Sequence, residues 1–310
     1  MKNPTRRKIL NAGTIALGSA ALSPLLPQAA VGQESDTEIT LVELGYAWVF
    51  QGAGCNVYAI PHPTGDGVLM VDGGLAAHSD ELIATVLDTL ERDRVDMLIN
   101  THWHPEQTGS NERLGAEGAT IFAHEKTRMF LQNSVMSALY DGRYGPLADA
   151  GLPGKTFRNT GTMTWGGQEI IYGYLPAAHS ESDLFLYFPI LDTLIAGGPV
   201  TSGQWPVLDI RHGAWIGGLL SAYETLAGIV SADTIVVPAH GPMLSGTDIM
   251  RMRAMFTNFH LDLAEQLNLG MGPKDTVKMG LLDAYIDDFG DPTQFIDYAH
   301  RSLQRAYVPD

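Results

Sequence analysis

Short apolar runs alternate with amphipathic stretches along most of the chain. Runs of four to eight apolar residues bounded by Gly, Pro or Asp have the length of buried strands, whereas apolar residues that recur every three or four positions indicate helices. Leu82, Val86 and Leu90 recur in this way after Ser79, a residue type that caps helices. The pattern predicts strands at 55–60, 67–74, 95–100, 119–125, 168–180, 183–190, 192–198 and 233–240, and helices at 80–94, 125–139, 215–230 and 247–269.

A Gly/Pro-rich connection at 141–154 separates the predicted elements into two sets. Two sets of strands with interspersed helices favour two sheets between outer helix layers, although the hydrophobic pattern alone leaves an ordinary doubly wound sheet open. A polar tail at 275–307 is predicted to be helical. The 310 residues show no internal repeat, and 45% of them are hydrophobic, so we expect one domain with a substantial core.

The first 32 residues differ in kind from the rest. Arg6 and Arg7 precede a modest apolar stretch rich in Gly and Ala, and the small residues 30–32 fit a cleavage site. The stretch is short for a membrane span, so residues 1–32 are predicted to be a cleaved export signal of the twin-arginine type; a disordered basic N-terminus is the alternative. We therefore expect the twin-arginine machinery as a partner, the periplasm as the location, and residues 33–310 as a single catalytic domain without membrane attachment.

The charge balance and the cysteine count narrow the possible partners. The chain has 19 Lys and Arg against 35 Asp and Glu, and loss of residues 1–32 removes four basic residues and no acidic ones, which leaves a net charge near −20. Such a surface repels phosphate backbones and anionic lipids, so a nucleic-acid or membrane partner is not expected. Cys55 is the single cysteine, which excludes an internal disulfide, and its apolar surroundings favour packing over reactivity.

Four histidines follow predicted strands and open the next loop: His102, His104, His179 and His240. Loops at strand ends are where a rigid scaffold presents functional side chains. Residues i and i+2 of an extended segment point to the same side, so His102 and His104 can converge on one ion. Three imidazoles with an open position are typical of a catalytic zinc or iron site.

These residues fall into five ordered blocks over roughly 170 positions, and with them the chain resembles the metallo-β-lactamase-fold hydrolases from about Thr40 to Phe259. The family has an Asp after an early strand, a His-x-His-x-Asp-His motif, a third His before another strand, a Gly-Asp pair after a strand, and a final His in a Pro/Gly turn. The matching positions here are Asp72, the segment His102-Trp103-His104-Pro105-Glu106-Gln107, His179, the pair Gly197-Gly198, and His240.

The resemblance implies an α/β fold, a four-layer αββα sandwich of two mixed β-sheets flanked by helices. It also implies a first metal site at His102, His104 and His179, all of which are intact. The positions of the second metal site hold Glu106, Gln107, Gly198 and His240 instead of the usual two Asp and two His. A Gly offers no side-chain ligand and an amide is a weak one. We therefore expect one ion, zinc, with iron as the alternative metal.

The resemblance also suggests roles for the neighbouring residues. Glu106 is predicted to orient the attacking water or to accept its proton, and His240 to donate a hydrogen bond to the developing oxyanion, with Gln107 as a weaker donor. Asp72 is expected to stiffen the histidine loop. Three further residues face the same side of the predicted fold but are more often loop residues, and we leave them out of the ligand set: Asp183, Asp209 and His212.

These expectations favour an exported hydrolase with one metal, which lowers the pKa of bound water to about 7 and so generates hydroxide for attack on an ester, lactone or amide bond of a small molecule. Hydrolysis of β-lactams is a minority outcome, because relatives with that activity usually keep the motif Asp and His. Two other classes stay open. One is a catalytically degenerate ligand-binding protein, and the other is a mononuclear iron oxidoreductase that acts on sulfur compounds.

Overall fold

The computed structural model describes residues 38–137 and 142–307, so the predicted export signal lies outside the described residues. Two large sheets form the body of the molecule. In the first sheet the strand order is β1-β2-β3-β4-β5-β6-β9: β1 Thr40–Leu44, β2 Ala47–Gln51, β3 Val57–Pro61, β4 Gly67–Val71, β5 Arg94–Ile99, β6 Thr120–His124 and β9 Lys155–Phe157. Between β6 and β9 the chain forms a separate hairpin of β7, Val135–Ser137, and β8, Gly142–Tyr144.

The second sheet follows in the chain. Its order is β10-β11-β12-β13-β14-β15: β10 Gly161–Trp165, β11 Gln168–Tyr174, β12 Leu184–Phe188, β13 Thr193–Thr201, β14 Ile235–His240 and β15 Leu244–Ser245. Both sheets are mixed. Strands β1 to β4 pair antiparallel while β4, β5, β6 and β9 pair parallel, and in the second sheet only β13 and β14 pair parallel.

Helices cover the outer face of each sheet. Their bounds are α1 Ser79–Leu90, α2 Pro105–Thr108, α3 Asn111–Ala116, α4 Glu125–Leu131, α5 Ile216–Ala227, α6 Gly246–Asn268, α7 Pro273–Lys278, α8 Ile286–Phe289 and α9 Thr293–Tyr307. The last three form the helical tail that the sequence predicts. Within the described part of the chain, no helix combines the length and the hydropathy needed to cross a membrane.

Strand β4 shows how the layers are built. Val68 and Met70 pack against α1, whereas Leu69 and Val71 point the other way and pack against the second sheet. Strand β12 does the same from the other side, because its Leu186 meets the first sheet and its Phe185 meets the outer helices. Strands that are buried on both faces read as continuous apolar runs. The four-layer αββα sandwich of two mixed sheets is thus confirmed.

Three local predictions are wrong. The helix predicted at 125–139 ends at Leu131, and the chain continues as strand β7 of the hairpin. Ser79 does not cap α1, because it is the first helical residue and its side chain makes no capping hydrogen bond. The strand predicted at 168–180 ends at Tyr174, which leaves His179 in the loop before β12. The antiparallel pair β1–β2 was not predicted, since β1 is half exposed and its apolar signal is weak.

Candidate metal centre

His102, His104 and His179 converge at one edge of the sandwich. Each offers a ring nitrogen within 4.8 Å of those of the other two, and their ring centroids lie 4.6 to 4.8 Å apart. All three side chains are buried. The first two come from the loop after β5, and His179 comes from the loop between β11 and β12. The centre therefore joins the two sheets.

Asp72 orients the loop that carries His102. It follows β4 with a φ of 64°, a left-handed conformation that Asp tolerates better than most residues. Its carboxylate accepts hydrogen bonds from the backbone N–H of Thr101 at 2.7 Å and from the Thr101 hydroxyl at 2.8 Å. The Thr101 Oγ1 lies 3.1 Å from His102 Nδ1. Burial raises the pKa of Asp72 to about 8 despite these hydrogen bonds, and the charge of Glu106 adds to the rise.

Asp209 holds His104. The His104 Nε2 lies 3.2 Å from Asp209 Oδ2, and His212 Nδ1 approaches the same carboxylate at 2.8 Å. Burial alone would raise the pKa of Asp209, but the hydrogen bonds with the two imidazoles outweigh it and hold the pKa well below the usual range. The carboxylate is therefore charged at neutral pH, and its contact with Nε2 fixes the orientation of the His104 ring.

Asp183 holds His179 in a comparable way. Its Oδ2 accepts hydrogen bonds from the backbone N–H groups of His179 at 2.7 Å and Ser180 at 2.6 Å, and its Oδ1 lies 3.3 Å from His179 Nδ1. Burial disfavours the charged form of His179, but the Asp183 carboxylate outweighs this effect and raises the pKa of the imidazole. The Nδ1 atom of His179 is therefore engaged in the contact with Asp183.

The three imidazoles fit a divalent metal ion. Each directs one ring nitrogen to an oxygen of Thr101, Asp209 or Asp183, which leaves its other nitrogen for an ion. Burial and the neighbouring imidazoles hold the pKa of His102 well below its usual value, so His102 stays neutral, as a metal ligand must. Three buried imidazoles with oriented rings are the donor set of a catalytic zinc site.

Replacement of Asp209 by Asn tests this orientation. An amide at this position keeps the shape but loses the charge that holds His104, and loss of such an outer partner costs about 10- to 100-fold in metal affinity. For Asp209→Asn we expect the affinity for zinc to fall about tenfold, near the lower end of this range, because the amide oxygen still accepts one hydrogen bond. Competition with a chromophoric chelator measures it. Asp80→Asn, at a side chain that is 90% exposed, is the control and should bind zinc as the unchanged chain does.

The positions that the motif resemblance assigns to a second metal include Gln107 and Gly198. Gln107 is fully buried, and neither its Oε1 nor its Nε2 completes a hydrogen bond of normal geometry with the described residues. The thiol of Cys55 donates to the backbone carbonyl of Glu106 at 2.8 Å. Burial raises the pKa of Cys55 well above its usual value, so this thiol stays protonated, as its predicted packing role requires.

Gly198 leaves no space for a side chain. It lies in β13, and a Cβ atom at this position would stand 2.8 Å from the Cε1 and Cγ atoms of His179, closer than the 3.4 Å at which ordinary contacts begin. A bulkier residue here can fit only if the ring of His179 moves. The contact also places Gly198 directly beside the triad, as the motif resemblance predicts.

Glu106 and His240 lie next to the triad. Glu106 is the second residue of α2, directly after His104 and Pro105, and His240 ends β14. Burial lowers the pKa of His240, although the charge of Glu106 opposes the shift, and the imidazoles of His179 and His104 lower it further. His240 is therefore neutral at neutral pH and its ring retains one N–H.

Sequence reasoning placed Asp183, Asp209 and His212 near the site without a role. The structure gives the two carboxylates the task of orienting ligands, and His212 extends the contact of Asp209 toward the surface. Two tryptophans pack against other aromatic rings. Trp103 is fully buried against Phe130, and Trp205 stacks on Phe295 in the helical tail.

The chain is similar to known proteins of the same fold. Residues 51–251 match the model of the metallo-β-lactamase superfamily. A metallo-β-lactamase from Pontibacter korlensis aligns with a TM-score of 0.58 at 20% identity, over 71% of this chain and all of that one. The metallo-β-lactamase IND-7 aligns with a TM-score of 0.56 at 18% identity, over 73% of this chain and 100% of that one. A metallo-β-lactamase from Hirschia baltica aligns with a TM-score of 0.55 at 21% identity, over 71% of this chain and 97% of that one. No curated protein matches the chain significantly.

At such identities the solved structures show the fold alone. The family model, however, covers about two thirds of the chain, including every ligand of the triad and the residues that orient it. The motif series, the αββα layers and the buried three-imidazole centre agree with that match. The chain belongs to the metallo-β-lactamase superfamily.

Proposed function

We propose that this protein is an exported hydrolase that uses a single metal ion, zinc, to cleave an ester, lactone or amide bond of a small molecule. One observation carries the proposal: three buried imidazoles, each oriented by its own oxygen partner, stand beside a carboxylate and a neutral imidazole. This is the donor set of a catalytic metal centre rather than of a structural one, because it leaves a coordination position open.

The proposal of one ion rests on Gly198 and Gln107. The first contributes no ligand atom and has no space for a side chain, and the second offers an amide where an imidazole would be needed. Glu106 and His240 are left as the polar groups beside the triad. We propose that they act on the substrate and on water instead of holding a second ion.

Two side chains have direct roles in the proposed reaction. A zinc ion held by His102, His104 and His179 would supply Lewis acidity and would lower the pKa of water to about 7. Glu106 accepts the proton of the attacking water, and its position directly after the histidine pair keeps the carboxylate beside the triad. His240, which is neutral, donates its ring N–H to the substrate oxygen on which negative charge develops.

The similar solved structures are described as metallo-β-lactamases. A β-lactam is an amide and therefore belongs to the proposed bond class. It is a lesser candidate here, because the usual Asp and His of the second site are replaced by Glu106 and Gln107. For the location we propose the periplasm, reached through the twin-arginine route that Arg6 and Arg7 indicate.

Turnover of a panel of neutral esters, lactones and amides by the zinc-loaded protein tests the proposed function. We expect hydrolysis that is lost on chelation, restored by one equivalent of zinc, and abolished in His104→Ala. Turnover in the zinc-loaded protein that does not exceed the background rate measured with this variant would remove the enzyme hypothesis and favour a ligand-binding protein. Metal analysis of protein isolated from its own periplasm addresses the redox alternative, since predominant iron would contradict a zinc hydrolase.

A further inference from the structure

We infer that a pocket beside His240 binds an uncharged, largely apolar part of the substrate. The pocket has a volume of about 660 Å³, and His240 forms part of its lining. The same imidazole is influenced by the charges of Glu106 and of His179, so the pocket adjoins the metal centre. The inference rests on the proposed function, because it names the class of substrate that the same site takes.

The walls of the pocket are apolar. Val42 of β1 contributes to them, as do Pro242 and Met243 from the turn after β14. Val42 and Met243 also pack on the core between the sheets, which fixes their positions. An aliphatic or aromatic group that enters here loses contact with water, and such burial of apolar surface is favourable.

The two amide side chains of the lining, Gln51 and Asn56, have already used their donors. Asn56 Nδ2 donates to the carbonyls of Pro238 at 2.9 Å and Gly241 at 2.8 Å. Gln51 Nε2 donates to Asn56 Oδ1 at 2.8 Å and to the Gly241 carbonyl at 2.9 Å. The thiol of Cys55 is likewise committed, to the Glu106 carbonyl. These groups therefore have few hydrogen atoms to offer to an incoming anion.

The charges around the pocket also disfavour an anion. Neither Lys nor Arg contributes to its lining among the described residues, and the charge that acts on His240 from nearby is that of the acidic Glu106. A substrate carboxylate in this pocket would lose its hydration without gaining a lysine or arginine cation, which is a large cost. The pocket therefore selects neutral esters or lactones over substrates whose corresponding part is anionic.

Binding of a matched pair of small molecules tests the inference without any turnover. Hexanamide and hexanoate have nearly the same shape and differ in charge. Calorimetric titration of the chelator-treated full chain avoids direct coordination of the carboxylate by zinc. We expect hexanamide to bind at least about tenfold more tightly than hexanoate, because the anion is desolvated without compensation.

Met243→Lys places a cation in the wall and should reduce this preference or reverse it, whereas Met243→Leu, the neutral control, should retain it. Val42→Lys makes the same change at another residue of the lining and replaces the first variant if Met243→Lys unfolds, which thermal melting would show. A preference for hexanoate in the unchanged chain, binding of neither molecule, or a preference that neither lysine alters would overturn the inference.

This test is separate from that of the proposed function. If no ester or lactone is hydrolysed but hexanamide is preferred and the lysine variants reduce the preference, the pocket is correctly assigned and the hydrolase proposal is wrong. If esters are hydrolysed but hexanoate binds as well as hexanamide, the hydrolase proposal stands and the pocket assignment is wrong.

Discussion

His102→Ala is expected to abolish zinc binding at micromolar metal and with it the hydrolysis of every substrate. Loss of an outer partner of a metal ligand costs about 10- to 100-fold in affinity, and removal of one of three ligands costs more, so we expect at least about a hundredfold weaker binding. The side chain is buried between two other imidazoles, and no neighbouring His, Cys, Asp or Glu in the described ranges completes a second group of three.

Thermal unfolding separates this effect from simple damage to the fold. Zinc binds the folded state and should raise the melting temperature of the unchanged chain, but not that of His102→Ala. His260→Ala, in the outer helix α6, is the matched control and should keep both the zinc-dependent shift and the activity. A variant at His102 that still binds zinc as tightly as the unchanged chain would show that the triad is not the metal site.

Gly198→Ala is expected to weaken zinc binding by roughly 10- to 100-fold although it adds a single methyl group. The ring of His179 has to retreat by at least 0.6 Å, the difference between the 2.8 Å contact and the 3.4 Å at which ordinary contacts begin. A misplacement of about 1 Å costs about a hundredfold in rate at catalytic sites, so turnover should fall by a similar factor. Titration with a competing chelator and steady-state kinetics measure the two effects.

Gly154→Ala is the control, because this exposed glycine has open space around it and a negative φ. It should leave both quantities unchanged. Gly198→Asp extends the experiment, since it restores the carboxylate that the family usually has at this position. We expect no second tightly bound ion, because the side chain displaces His179 first. Two equivalents of tightly bound zinc in Gly198→Asp, with full affinity at the first site, would contradict the proposed crowding.

The three histidines and Asp72 were accessible to sequence reasoning, whereas the orienting roles of Asp209 and Asp183 were not. His102 and His104 share one face by their spacing, and His179 follows a recognisable strand. Asp209, by contrast, contacts His104 across 105 positions of chain, and nothing in its local sequence distinguishes it from an ordinary loop carboxylate. Such partners depend on how β11 to β13 pack against β5, which is a property of the assembled sandwich.

Among the strands and helices, too, some were predictable from the local sequence and others depend on the assembled fold. Strands β3, β4, β12 and β14 were predictable because continuous burial gives long apolar runs. The helix predicted at 125–139 was wrong because the pattern of apolar residues extends past Leu131, where the chain instead pairs β7 with β8. The absence of room at Gly198 could not be foreseen either, since it depends on the ring position of His179 in another strand connection.

The triad takes two of its members from the first sheet and one from the second, so an ion at this edge fastens the two halves of the sandwich to each other. Part of the affinity for metal is then the free energy of keeping those halves in register. Substitutions deep between the sheets, far from any imidazole, should therefore lower the affinity for the ion. Removal of the ion should make the interface between the two sheets the first region to unfold locally.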